Sequence, residues 1–132
     1  MMCENASSVI HATFEASNKG QIHFGEVIGQ LMGAHVESYH VDYRSGRTTR
    51  YLPNDATVVL DFEQPDEAIA GTFDGDAVRE AILGAQQGQV LYPEFKRLSQ
   101  RAGCIGYTVW IAGRHVTYFG RKGETHVEKF PN

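Results

Sequence analysis

Positive charge is in short supply: twelve Lys and Arg stand against sixteen Asp and Glu, a formal net charge of −4. A general nucleic-acid binder needs basic surface to displace counterions, so no nucleic-acid partner is expected. Cysteine is scarce as well. Cys3 and Cys104 cannot form a disulfide framework, and both read as reduced thiols of a cytoplasmic protein. Cys104, where a strand should begin, is weighed as a nucleophile and taken as a small buried hydrophobe. No apolar run approaches the ~18 residues of a spanning helix, so no membrane contact is expected. The first residues lack the basic segment and apolar core of a secretory leader. Met1-Met2-Cys3-Glu4-Asn5 lacks the second-position glycine that myristoylation requires. There is no nucleotide-binding glycine loop and no serine elbow. Gly25, Gly29 and Gly33, spaced by four on a helix, point instead to a close helix crossing. No metal and no cofactor is expected.

What is present is ordinary. An apolar fraction of 42% in 132 residues is that of one domain able to bury a core without staples. Charge is unevenly spread, with Glu63, Asp66, Glu67, Asp74 and Asp76 in the middle and Arg114, Arg121 and Lys122 in the last third.

The strongest signal is internal. Gly20–Leu60 laid over Gly88–Glu128 without a gap gives nine identities: Gly20/Gly88, Gln21/Gln89, Glu26/Glu94, Ala34/Ala102, Tyr39/Tyr107, Val41/Val109, Thr49/Thr117, Thr57/Thr125 and Val59/Val127. Chance gives roughly two or three. The chain therefore reads as a tandem duplication, with repeat 1 at about 6–62, an acidic linker at 63–73 and repeat 2 at about 74–130.

Each repeat carries two helical patterns and then period two. Ser7–Ser17 is a weak first helix with Ile10, Thr13 and Phe14 inward. Its counterpart is marked by Ala77, Val78, Ala81, Ile82 and Ala85, capped by Asp74 or Asp76. Gly20 and Gly88 fit left-handed helix ends. Phe24, Val27, Ile28 and Leu31 make a second helix, as do Tyr92, Phe95, Leu98 and Ala102 with Pro93 in the first turn. Val36–Tyr43 alternates, with Tyr39, Val41 and Tyr43 on one face and Ser38, His40 and Asp42 on the other; Ile105–Ile111 repeats the pattern. Returning strands follow at Arg47–Leu52 and Arg114–Gly120, and third strands at Thr57–Phe62 and Glu124–Phe130. The expected fold is α+β, an α-α-β-β-β unit twice over with antiparallel meanders related by a pseudo-twofold.

Several runs carry a resemblance. They are Gly20-Gln21, Phe24-x-Glu26-Val27, Val36-Glu37-Ser38-Tyr39-His40-Val41-Asp42, Ala102-Gly103-Cys104-Ile105-Gly106-Tyr107, Ala112-Gly113-Arg114-x-Val116-x-Tyr118-Phe119-Gly120-Arg121 and Gly123-Glu124-x-His126-Val127-Glu128. Together they resemble an uncharacterised bacterial and prophage domain-of-unknown-function family (the 1398 type), whose members are often labelled "phage envelope protein". The resemblance covers nearly the whole chain and implies no chemistry. One position departs from it: beside Tyr51, where a second aromatic is expected, stands Arg50.

Candidate site residues follow from polar groups on strands. His40 and Asp42 share a face, with Thr108 and Trp110 at the equivalent places, and such a face lines a pocket or meets solvent. His126 and Glu128 replace the apolar Val58 and Leu60 of the first repeat; with His40 and Asp42 they would make four metal ligands if they met. Tyr39 and Tyr107 are walls of one pocket or core packing. Arg114, Tyr118, Arg121 and Glu124 crowd the last hairpin, where a guanidinium beside a phenol suits a carboxylate or phosphate. A strand of about 20 Å separates the two arginines, so one of them serves any given anion. Arg121 is favoured for its turn, with an Arg121–Glu124 ion pair as the competing arrangement.

The leading expectation is a non-enzymatic accessory module of cytoplasmic or prophage origin, monomer or homodimer, binding a small anionic ligand or a protein partner. A hydrolase or isomerase using His40 or His126 as general base is the rival, and a structural phage component the third reading.

Overall fold

Alternation of helical and strand periodicity dictates the order of elements. A computed structural model describes residues 4–63 and 67–131; Cys3 and Asp66 lie outside the described residues. Helices α1 (Glu4–Asn18) and α2 (Phe24–Gly33) precede strands β1 (Ser38–Asp42), β2 (Arg47–Tyr51) and β3 (Thr57–Asp61). Helices α3 (Gly75–Gln86) and α4 (Tyr92–Arg101) precede β4 (Cys104–Trp110), β5 (His115–Gly120) and β6 (Thr125–Lys129). The order α-α-β-β-β thus occurs twice, and the fold class is α+β.

Local chemistry sets the boundaries. Gly20 and Gly88 close the first helix of each half at φ 72° and 75°, a conformation cheap only for glycine. The Asp74 carboxylate accepts from the Ala77 N–H and caps α3. Pro93 sits in the first turn of α4, where its missing N–H costs nothing.

The six strands form one antiparallel sheet in the order β3-β2-β1-β4-β5-β6. β1 and β4 pair in the centre, Ser38 opposite Trp110 and Asp42 opposite Gly106, so the halves share one continuous ladder. All four helices pack on one face. Tyr39, Val41, Tyr43, Val58, Tyr107, Val109 and Tyr118 point to them and are buried with Ile10, Leu31, Val78 and Phe95. Each such side chain contributes about 1.5–3 kcal/mol of burial.

The linker is fastened to the second half. Ala70 and Asp74 donate backbone N–H groups to the carbonyls of Gln100 and Ala102. Gly103, at φ 89°, lies so close to Thr72 that any Cβ would strike its carbonyl.

The glycine spacing on α2 has a different meaning from the one expected. Gly25, Gly29 and Gly33 lie on the solvent side, and a Cβ at any of them would meet nothing within 4 Å. Val27, Ile28 and Leu31 take the packing face instead. Among the described residues, no helix is long and apolar enough to cross a membrane.

Candidate functional site

Burial of charge singles out one place. Arg50, on β2, points into the helix–sheet interior and is only 4% exposed. Its phase in the hairpin forces this: it stands opposite Tyr39 on β1 and Val58 on β3, both facing the helices. The guanidinium carbon lies 4.8 Å from the Tyr39 ring centroid and 5.4 Å from that of Phe14. Its Nε and Nη1 are buried without any hydrogen-bond partner among the described residues.

Around it the walls are phenols. Tyr107 donates its hydroxyl to Tyr92 at 2.6 Å. Tyr107 and Tyr118 stand 5.4 Å apart between ring centroids, and Phe95 packs edge-on to Tyr107 at 6.2 Å. Burial pushes the Tyr39 phenol up to about 12, the neighbouring Arg50 opposing the rise. Burial likewise holds Tyr92, Tyr107 and Tyr118 well above the ordinary range. These walls are therefore neutral at physiological pH. Desolvation also lowers the affinity of Arg50 for its proton, but from so high a starting value that it remains a cation.

The protein groups around Arg50 do not by themselves offset its burial. Two aromatic faces contribute about 2 kcal/mol or somewhat more each. Desolvating the cation costs several kcal/mol, and each unsatisfied buried donor adds about 1–3 kcal/mol.

The residues enclose a cavity of about 70 Å³, lined by Phe14, Tyr39, Arg50, Tyr92, Tyr107 and Tyr118 among others. A water needs ~10–15 Å³ and a benzene ring occupies a cavity of ~150 Å³. The space thus takes several waters or a small molecule of few heavy atoms. His23, Phe24, Gln86, Phe130 and Pro131 line both this cavity and an open groove of about 600 Å³, which puts the mouth between α2, the end of α3 and the segment after β6. Phe24 and Phe130 meet edge-to-face there at 6.0 Å.

A second buried cation lies beside the cavity. Lys96 donates its Nζ to Asn18 Oδ1 at 2.6 Å and stacks on Phe62 and Tyr92 at 4.6 and 4.9 Å. Burial, helped by Arg97, brings its amine down to about 8.

The expected site residues divide by sheet face. Tyr39, Tyr107 and Tyr118 line the cavity, as does Glu128. His126 stands opposite Tyr118 on the same face and bonds Glu128 through Nε2 at 3.0 Å. His40 and Asp42 lie on the opposite face. His40 Nδ1 shares a 2.8 Å hydrogen bond with Thr108, and Asp42 accepts from the Arg44 N–H and the Ser45 hydroxyl. The two His/carboxylate pairs therefore do not meet. Among the described residues, no three His, Cys, Asp or Glu gather as a metal site would require.

Arg114 and Arg121 flank opposite ends of β5. Arg114 sits over the Phe130 ring at 5.6 Å. Arg121 donates to the Ile69 carbonyl, while Glu124 accepts from the Lys122 N–H. The turn satisfies the Glu124 carboxylate through backbone, so the expected Arg121–Glu124 pair does not form. Cys104 is fully buried, donates to the Gly106 carbonyl, and has its thiol pushed up to about 11 by burial. That environment makes it inert.

Comparison with known proteins adds kinship without chemistry. Residues 11–128 match a family described as "Protein of unknown function (DUF1398)". Curated relatives are the "Uncharacterized protein Rv2012" of Mycobacterium tuberculosis (strain ATCC 25618 / H37Rv) and the "Uncharacterized protein Mb2035" of Mycobacterium bovis (strain ATCC BAA-935 / AF2122/97). Each is 36% identical over 58 residues, or 44% of this chain and 35% of the relative. The chain thus covers about a third of the length of these relatives.

Proposed function

The chain belongs to this family of unknown function, and we propose that it is a non-enzymatic binding module that takes a small monocarboxylate into its interior cavity. The observation that carries this reading is Arg50, a buried guanidinium with Nε and Nη1 unpaired in a cavity of neutral phenols. Nε and Nη1 each stand next to Nη2, and either edge, Nε with Nη2 or Nη1 with Nη2, offers the two parallel N–H donors that a carboxylate accepts. Tyr92 accepts from Tyr107, so its own hydroxyl hydrogen is left to reach the same anion. Phe14, Phe95 and Tyr118 would pack on a short apolar body.

Charge limits the ligand to a monoanion. Arg50 is the buried cation that lines the cavity, Lys96 is turned to Asn18, and Glu128 and Lys129 line the same space with opposite charges. A dianion would leave one charge unmatched in a low-dielectric interior.

If the halves descend from one duplicated unit, the place of Tyr118 in the second half is that of Arg50 in the first. Replacing a wall phenol by a guanidinium would then have turned a packed tyrosine cluster into an anion site. A cytoplasmic, prophage-derived accessory role is part of this reading. The buried Cys104 thiol suits a reducing compartment.

The test is a thermal-shift and calorimetric series with formate, acetate, propionate, benzoate, phosphate and chloride at constant ionic strength. Short carboxylates should bind saturably. At a hundredfold excess over Kd they should stabilise by about 2.7 kcal/mol, a melting-temperature rise on the order of 5–10 °C. Arg50→Met should abolish that rise. Absence of any carboxylate effect beyond chloride, or an equal effect on Arg50→Met, would overturn this reading.

A further inference from the structure

Pairing register fixes which side chains meet on the sheet face turned away from the helices. Its middle row crosses all six strands as Val59, Thr49, His40, Thr108, Thr117 and Val127. No Lys, Arg, Asp or Glu stands in it. Ser38 is flanked by Tyr51 and Trp110 in the next row, and Phe119 belongs to the row on the other side. The large side chains there remain open to solvent, with Val59 51%, Val127 55%, Trp110 41% and Tyr51 39% exposed.

Charge on this face is confined to its rim. Arg47 and Asp61 pair with each other at 3.1 Å at one corner. Asp42 is turned to its own turn residues. Lys129 occupies the opposite corner on the edge strand β6. An uncharged centre with an aromatic and aliphatic complement, ringed by charge, is the anatomy of a protein interface. A solvated sheet face ordinarily carries its polar and charged side chains throughout.

Size and symmetry narrow the occupant. Six strands at ~4.8 Å and about five residues at ~3.4 Å give a footprint of about 500 Å². Side-chain relief raises its accessible area toward the ~800 Å² per partner of a standard interface. The centre offers no charge for an acidic or basic partner to complement. The middle row starts with Val and then Thr from either edge, so a copy turned by a half-rotation meets like with like. We infer that this face is covered by the same face of a second copy of the chain, in an isologous twofold dimer of two stacked sheets. The inference does not depend on the cavity or its ligand.

Sedimentation equilibrium from about 1 to about 200 µM tests it. The wild-type mass should rise to twice 14.7 kDa within that range. Thr117→Arg puts a charge in the middle row, and Val127→Glu puts one on the edge strand. Each should weaken association at least about 100-fold while far-UV circular dichroism and unfolding cooperativity stay unchanged. If Thr117→Arg fails to fold, Val127→Glu alone carries the test. A wild type that stays at 14.7 kDa throughout leaves the face to solvent or another partner and overturns the inference. So does a dimer that both variants leave intact, since it would use another surface.

Discussion

Arg50 and Lys96 are each 4% exposed, yet their surroundings treat them differently. Lys96 has an amide oxygen and two rings for its ammonium. Arg50 has two rings and unpaired nitrogens. Replacing an uncompensated buried charge by an apolar residue of similar length commonly stabilises by about 1–4 kcal/mol. Arg50→Met should therefore stabilise the ligand-free protein by roughly 1–3 kcal/mol, read as a higher urea midpoint, while it removes carboxylate binding. A fall in stability instead would mean that ordered water already satisfies the guanidinium. Lys96 gives a pH signature. Its folded amine titrates at about 8, below the ordinary 10.5. Between those values the unfolded chain holds the proton that the folded one has lost, so stability rises with pH across that window. The buried phenols act with opposite sign: Tyr39, Tyr43, Tyr92, Tyr107 and Tyr118 are all raised above 10 by burial. The unfolded chain loses those protons first, and stability falls above about pH 10. Urea midpoints from pH 7 to 11 should rise up to about pH 10 and then drop. Lys96→Met should flatten the rise and leave the drop.

Among the elements, α2 carries a test of its own surface. Gly29 has open space around its Cβ direction and an ordinary helical environment. Gly29→Ala should stabilise by about 0.5–1 kcal/mol, the backbone-entropy cost of a mid-helix glycine. A loss of stability in chemical denaturation would show that something packs against that side of α2. Gly103→Ala is the contrasting case. It combines φ 89° with a backbone carbonyl in the path of the new methyl group, and should cost more than about 2 kcal/mol. The same elements show what periodicity could reveal. Helix faces and the Tyr39-Val41-Tyr43 alternation are set by local spacing, and they were legible. The α2 glycines misled because spacing by four marks a helix face without saying which face is buried. Arg47-Thr48-Thr49-Arg50-Tyr51 has no apolar alternation, so local spacing does not mark Arg50 as buried. A signal for it did exist. The offset of 68 residues that joins His40 to Thr108 also aligns Arg50 in sequence with Tyr118, in the inward Val116-x-Tyr118 phase. A charge aligned with a core phenol marks a cavity.

At the scale of the whole molecule, the order of strands in the sheet had no local signal, because pairing of β1 with β4 is a contact between distant segments. That pairing decides how the molecule unfolds. Each half alone would leave a central strand as a bare edge. It would also lose cross-half bonds, the buried Tyr43–Ser99 bond at 2.7 Å and the half-buried Lys96–Asn18 bond at 2.6 Å. A half of roughly 60 residues buries only about 60% of its unfolded surface even when its own core is complete, and these cores are shared. Arg50, Tyr39 and Phe14 from the first half face Tyr92 and Tyr107 from the second, so a carboxylate in the cavity would bind only the docked pair. One cooperative transition should follow. Trp110, the sole tryptophan, reports the second half, whereas far-UV circular dichroism reports both. At fixed protein concentration the two urea curves should coincide, and acetate should move them together. Midpoints separated by more than about 0.3 M would mean that the halves unfold one after the other, and that the central β1–β4 ladder is the weakest seam of the sheet.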